Sequence, residues 1–211
     1  VIGDEAAGGG AAAVAIGNGV AGGGAGVVAI GNGAGAAGDQ TISIGNGVVV
    51  GGSQTVAIGN NIVDGGTESV VIGDEAAAAG AAAVAIGNAA GAAGAGAVAI
   101  GNGVAIQGIR AIAIGNAIDT AGLESIAIGD VAAGAGEGAI AIGNEAAAVG
   151  KQQISIGNKV ASIDWLSSEY FSTGGAIGIG NEALVAGDSS IAIGKSTIAV
   201  GDSLSQYTGS K

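Results

Sequence analysis

The chain has 211 residues, of which 47 are glycine, while proline, cysteine, methionine and histidine are absent and aromatic residues make up 2%. Its hydrophobic content of 49% comes mainly from Ala, Val and Ile, which suits narrow, layered β-packing better than an ordinary globular core. Seventeen acidic residues against five basic ones give a net charge of −12, which argues against nucleic acid or an anionic membrane as a partner.

Internal repeats begin at the first residues and determine the predicted fold. A hydrophobic-Ile-Gly step recurs every 14 residues from Gly3 to Gly157, and two further copies end at Gly180 and Gly194. A second glycine follows seven residues after the first. We therefore predict two short strands and two turns per repeat, stacked in parallel as a flat, two-sided β-roll of 14-residue coils. The residues chosen as representative of this structural repeat are Ile16, Gly17, Asn18, Gly24, Ile86, Gly87, Ile100 and Gly101.

Within each repeat, Val or Ile alternates with a small residue, as in Val14-Ala15-Ile16. This period-two pattern places the large residues on one face of a strand, and we predict that the Ile positions form a ladder along the interior. The Asn or Asp after the glycine predicts a turn. Apolar residues in the second half of the repeat are expected to be exposed in a single chain and buried by side-by-side association: Val20, Val48, Ile62, Val104, Ile118 and Val160.

Two other structures are disfavoured for these stretches. A helix is unfavourable because glycine interrupts every seven residues, at roughly 1 kcal/mol each relative to alanine. Disorder would give no reason for a fixed Val-x-Ile-Gly phase. No run of apolar residues predicts a membrane span, so we expect no membrane contact by this chain.

The repeated Val-Ala-Ile-Gly-Asn, found at residues 14–18, 84–88 and 98–102, resembles the head repeat of YadA-like trimeric autotransporter adhesins. This resemblance implies a left-handed parallel β-roll, a homotrimer, and extracellular display on a bacterial outer membrane through other segments. It also implies attachment to host extracellular matrix, host cells or other surfaces. Residues 1–203 would form the head, and residues 204–211 would lead toward a neck or stalk.

The repeat is interrupted between Gly157 and Gly180, where nine residues are added, and we place an inserted loop at about 162–173. This segment contains Trp165, Tyr170 and Phe171, which are candidate ligand-binding residues because aromatic side chains dominate binding hot spots. The alternative, favoured by the energetic gain of burying aromatic rings, is that the loop packs on a neighbouring subunit.

We expect no enzymatic activity, because the absence of His and Cys removes the usual activators of a Ser or Cys nucleophile. No cofactor and no metal site are predicted. Other possible functions are a structural spacer, a module of a trimeric phage tail fibre and an ice-binding solenoid. The last would require ranks of threonine, whereas Thr41, Thr55, Thr67 and Thr120 are scattered. Adhesion, if present, would be multivalent along the repeated faces.

Overall fold

A computed structural model describes residues 1–163, 175–187 and 189–200. The chain is an all-β solenoid of parallel strands with about 13 coils and a spacing of 14 residues, which confirms the fold predicted from the repeat. Its contacts divide it into two units, Val1–Ala117 and Ile118–Lys211. The predicted segment 204–211 and most of the inserted loop lie outside the described residues.

The first unit contains short and long strands in strict alternation, and all neighbouring strands of a sheet are parallel. Odd-numbered strands pair with one another and have two residues, whereas even-numbered strands pair with one another and have five. In chain order the strands are β1 (Ala7–Gly8), β2 (Val14–Asn18), β3 (Ala21–Gly22), β4 (Val28–Asn32), β5 (Gly35–Ala36), β6 (Ile42–Asn46), β7 (Val49–Val50), β8 (Val56–Asn60), β9 (Val63–Asp64), β10 (Val70–Asp74), β11 (Ala77–Ala78), β12 (Val84–Asn88), β13 (Gly91–Ala92), β14 (Val98–Asn102), β15 (Ala105–Ile106) and β16 (Ile112–Asn116).

The second unit continues the same alternation and keeps its register across the added residues. Ile154 lies opposite Ile177, so the long strands pair in phase although 23 residues separate them. The strands are β17 (Asp119–Thr120), β18 (Ile126–Asp130), β19 (Ala133–Gly134), β20 (Ile140–Asn144), β21 (Ala147–Ala148), β22 (Ile154–Asn158), β23 (Ala161–Ile163), β24 (Ile177–Asn181), β25 (Leu184–Ala186), β26 (Ile191–Ile193) and β27 (Ile198–Val200).

The interior of a coil is formed by four side chains, two associated with each sheet. In the coil 98–111 these are Ala99, Val104, Ile106 and Ala111, each no more than 2% exposed. The small residue between Val and Ile therefore points inward. The prediction of an interior Ile ladder is wrong: the Ile side chains of the long strands point outward, and the larger interior residues of this coil, Val104 and Ile106, come from the short-strand side.

The predicted exposure of the second-half apolar residues is also wrong. They precede the short strands and point into the coil, where each is at most 1% exposed: Val20, Val48, Ile62, Val104, Ile118 and Val160. A single chain thus buries these residues without any partner. The Val and Ile side chains of the long strands form the opposite set, because they point outward and stay partly exposed.

The repeated glycines are required mainly by close approach of successive coils. A Cβ on Gly17 would overlap the carbonyl oxygen of Gly31, and one on Gly24 would overlap that of Gly38. Gly17 also has a φ of 133°, which side chains rarely adopt. The left-handed turn residue is not the Asn or Asp itself but the residue after it, such as Gly19 or Glu75. The predicted turn is therefore displaced by one residue.

Candidate binding surfaces

An uninterrupted apolar surface covers the outer side of the long strands, and we call it the Val/Ile face. It consists of the first and third residues of each long strand, and none of them is polar. Val14, Ile58 and Ile72 are 40%, 38% and 37% exposed. In the first unit the side chains of the face are Val14, Ile16, Val28, Ile30, Ile42, Ile44, Val56, Ile58, Val70, Ile72, Val84, Ile86, Val98, Ile100, Ile112 and Ile114.

Strand register makes the Val/Ile face continuous within each unit. Ile72 pairs with Ile58 on one side and with Ile86 on the other, so equivalent side chains stack at the strand spacing of about 4.8 Å. In the second unit Ile126 pairs with Ile140 in the same way. Contiguous exposed apolar surface of this kind marks an interaction site in soluble proteins.

The outer side of the short strands has a different character. Its residues are mostly Ala or Gly, such as Ala21, Gly35, Ala77 and Gly91. Val49 and Val63 are exceptions, and they pair with each other while remaining 53% and 63% exposed. In the first unit this side offers little apolar side-chain area apart from these two valines, so the two faces are not equivalent there as docking surfaces. In the second unit Leu184 pairs with Ile198, which is 69% exposed.

One turn edge is a ladder of amides at the ends of the long strands. Asn46 donates from Nδ2 to Asn60 Oδ1 at 3.2 Å, and Asn60 donates from Nδ2 to Asp74 Oδ1 at 2.8 Å. Asn88 donates to the other Asp74 oxygen at 3.4 Å, so this carboxylate accepts from both neighbours. In the second unit Asn181 donates to Asn158 across the added residues, at 3.2 Å. These polar groups satisfy one another, which indicates that this edge is structural.

The opposite turn edge joins each short strand to the next long strand, and its residues vary from coil to coil, so we call it the variable edge. It contains an open polar groove. Asp39, Gln40, Ser53 and Gln54 line it together with Ala25 and Gly26. Asp39 Oδ1 accepts the Ala25 N–H at 2.7 Å, and Ser53 Oγ accepts the Asp39 N–H at 3.2 Å. Gln54 donates from Nε2 to Gln40 Oε1 at 3.2 Å. The groove was not predicted from the sequence, although Asp39-Gln40 and Ser53-Gln54 are polar where Ala11-Ala12 and Ala81-Ala82 are not.

A carboxylate occupies one interior position of the first unit. Asp64 is 1% exposed, in strand register with Val50 and Ala78. Its oxygens accept hydrogen bonds from the Ser69 hydroxyl at 2.7 Å and the Gly66 N–H at 3.0 Å. Burial raises the pKa of Asp64 above its usual value, and the two hydrogen bonds oppose this effect only in part. The burial of Asp64 was not predicted from the sequence, because the inward direction of its side chain depends on the strand phase.

The coil before the added residues has a polar interior. Ser155 donates to the Ala147 carbonyl at 2.7 Å and is also bonded to Ser162 Oγ at 2.8 Å. Gln153 is fully buried, and its Oε1 accepts the Gly150 N–H at 2.9 Å. The candidate ligand residues Trp165, Tyr170 and Phe171 lie outside the described residues, so the structure does not test them.

Charged groups in the described part of the chain form no candidate metal centre, since no group of three or more His, Cys, Asp or Glu side chains comes together there. Lys151 and Glu137 form an exposed ion pair at 2.7 Å on the variable edge. Nowhere in residues 1–163, 175–187 and 189–200 is there a helix long and apolar enough to cross a membrane.

Comparison with protein-family models gives no match to this chain, and comparison with curated proteins gives no significant match.

Proposed function

We propose that this chain is a YadA-like head of a trimeric bacterial surface adhesin, a left-handed β-roll whose three copies pack through their Val/Ile faces. The head would be displayed outside the cell by other segments and would attach to host matrix, host cells or other surfaces. The observation that carries the proposal is the Val/Ile face, which has no charged residue and stays partly exposed in a single chain. Its residues belong to the repeated motif on which the family resemblance rests.

The distribution of charge supports association through this face. Acidic residues lie at the turn edges, for example Asp74 and Glu75 on one edge and Asp39 and Glu137 on the other. A chain with a net charge of −12 can associate with itself only where like charges stay apart, and the Val/Ile face meets that condition. Burial of this face would add the apolar area that an alanine-rich interior cannot supply.

The first experiment is the solution mass of the 211-residue chain by light scattering after gel filtration. A mass of three times 19.0 kDa is expected. A monomeric chain would be tested again after fusion to a trimeric coiled coil. If the solenoid parts of that fusion still showed no mutual protection from hydrogen exchange on the Val/Ile face, the trimer would be rejected.

Matched variants assign the interface to one face. The double variant Ile86→Lys, Ile100→Lys places two charges on the Val/Ile face, and Ala77→Lys, Ala105→Lys places two on the outer side of the short strands. We expect the first pair to dissociate the trimer and the second pair to leave the mass unchanged, with circular dichroism confirming the β-fold in both. Equal masses for the two variants would exclude the Val/Ile face as the interface.

Adhesion itself requires a surface-binding assay, in which the trimer is applied to matrix-coated plates and to cultured cells. Progressive weakening of binding as 14-residue coils are deleted is expected for a multivalent adhesin. A trimer that binds no surface would instead support the structural spacer or the tail-fibre module. The ice-binding alternative loses support, because Thr41, Thr55 and Thr120 are fully buried rather than displayed in ranks.

A further inference from the structure

The polar groove on the variable edge is a local feature, since the repeat does not require its residues. The equivalent residues are Ala11-Ala12, Ala81-Ala82 and Ala95-Gly96 in three other coils of the first unit, and Thr67-Glu68 and Ile109-Arg110 in two more, with the same strand pairing throughout. The left-handed conformation of Gln40 and Gln54, with φ of 56° and 60°, is adopted equally by Ala12 and Ala82. The fold therefore accepts both alanine and polar residues at these positions, and it does not by itself require four polar side chains in two successive coils.

The hydrogen bonds inside the groove leave both donors and acceptors directed to solvent. Ser53 Oγ accepts from Asp39 and retains its own proton, and Asp39 is exposed with its Oδ2 unused in the described part of the chain. The Gln54–Gln40 bond uses Gln54 Nε2 and Gln40 Oε1. It therefore leaves the Gln40 amide as a donor and the Gln54 carbonyl as an acceptor.

This arrangement matches the chemistry of a sugar ring, whose neighbouring hydroxyls each donate and accept a hydrogen bond. The coils that carry these groups are stacked about 4.8 Å apart, the spacing of parallel strands. Ala25 and Gly26, at the equivalent positions of the preceding coil, also line the groove and add almost no side chain. The groove volume of about 430 Å³ lies within the range of roughly 300–1,000 Å³ found for small-ligand sites.

Charge restricts the class of saccharide. Asp39 lies in the groove, and the chain has a net charge of −12, so sialylated, sulfated or phosphorylated sugars would be repelled. We propose that the groove formed by Asp39, Gln40, Ser53 and Gln54 binds a neutral saccharide of one to two rings. This proposal names a ligand class for the adhesive function proposed above. Its biological role rests on that proposed function, whereas saccharide binding itself can be tested without it. The contacts are exposed, so each site is weak and useful binding requires several copies.

The test uses the double variant Gln40→Ala, Gln54→Ala. Alanine is tolerated in this left-handed conformation, because Ala12 and Ala82 adopt it at the equivalent positions of other coils. The matched control is Gln152→Ala, at the same position of a coil in the second unit and also left-handed, with φ of 52°. Wild type, variant and control are applied to an array of neutral oligosaccharides and their sialylated and sulfated forms. Binders are then measured by saturation-transfer NMR with the corresponding free mono- or disaccharide.

We expect neutral glycans to be bound by wild type and control, and to be bound about tenfold more weakly by the double variant, which loses two hydrogen-bonding groups. Absence of neutral-glycan binding, preference for acidic glycans, or equal binding by the double variant would overturn the proposal. The surface-adhesion assay on the same proteins separates the two hypotheses. Adhesion that survives in a head without glycan binding rejects the groove alone, whereas glycan binding without adhesion supports the groove and rejects the adhesive function.

Discussion

Two coils of the first unit, residues 56–69 and 84–97, have the same backbone but different interiors. The interior of coil 84–97 contains four alanines, Ala85, Ala90, Ala92 and Ala97, whereas coil 56–69 buries Ala57, Ile62, Asp64 and Ser69. Their long strands β8 and β12 pair in register with the same strand, β10. The coil geometry is thus set by inter-coil hydrogen bonds and glycine contacts, and the interior side chains need only fit and find partners.

The difference also indicates where each coil is vulnerable. An all-alanine interior contains no polar group to leave unsatisfied, but a longer side chain has to fit between two sheets whose spacing the shared backbone fixes. The coil with Asp64 has larger side chains and depends on specific hydrogen bonds instead. Substitutions in the two coils should therefore destabilise the chain for different physical reasons.

The largest effect is expected from overfilling the alanine coil. Ala85→Leu adds three carbons between Val71 and Ala99 in the sheet and should lower the free energy of unfolding by roughly 3 kcal/mol. Urea unfolding followed by circular dichroism measures this change. The control is Ala105→Leu, an outward residue of a short strand, for which little change is expected. Equal stability of the two variants would show that the interior is not tightly packed.

The next effect concerns the partner of the buried carboxylate. Ser69→Ala removes the 2.7 Å hydrogen bond to Asp64 and should cost about 2 kcal/mol in unfolding free energy, because the acceptor is charged or strongly polar. Ser125→Ala removes a 2.7 Å bond to the neutral Gly122 carbonyl and should cost about 1 kcal/mol. A smaller loss at Ser69 than at Ser125 would contradict the assigned role of Asp64.

A matched pair of threonines sharpens the comparison further. Thr55 Oγ1 is buried and has no partner among the described residues, whereas Thr41 Oγ1 donates to the Gly38 carbonyl at 3.0 Å. Valine has nearly the same shape as threonine. We therefore expect Thr55→Val to stabilise the chain by about 1 kcal/mol and Thr41→Val to destabilise it by a similar amount. Thermal unfolding would measure both, and the same sign for the two variants would refute the assignment.

The smallest effect is a change in pH dependence at Asp64. Burial raises the pKa of Asp64 in the folded state, so its contribution to stability is complete below its unfolded pKa and is lost as the pH rises through the folded pKa. We expect Asp64→Asn to remove this decline, so that the stability difference between wild type and variant shifts in favour of the variant at higher pH. Unfolding measured from about pH 3 to pH 8 gives the difference. Parallel curves would contradict the raised pKa.

The 14-residue period was sufficient to predict the parallel stacking and its register. Ile86 does pair with Ile72 and Ile100, because identical phase in successive coils leaves no other in-register arrangement. Alternation alone could not decide which side of a strand faces inward. The size of the side chain at each alternating position indicates which side faces inward. The residue between Val and Ile is Ala or Ser in most repeats and never exceeds the size of Val71. A narrow roll imposes such a limit on its interior.

The candidate sites were harder to anticipate for reasons that differ. The side chain of Asp64 points inward because of the phase of its strand. The sequence-based prediction assigned the inward and outward sides of the strands the wrong way round, so it could not identify Asp64 as buried. The groove residues Asp39 and Gln54 are ordinary surface residues individually, and their meaning comes from stacking at equivalent positions. The ligand-binding role of the aromatic residues Trp165, Tyr170 and Phe171 remains a prediction.

The added residues between β23 and β24 have a consequence for the design of new molecules. The connection from a short strand to the next long strand has five residues in most coils, and nine residues are added to it here. Ile154 nevertheless pairs with Ile177, and Asn181 donates to Asn158. Lengthening a loop raises its closure entropy only slowly, by about 0.6 kcal/mol per doubling. The variable edge is therefore a suitable place to insert foreign peptides. Inserts in different coils would be separated by whole multiples of the coil spacing, and the strand order would be kept.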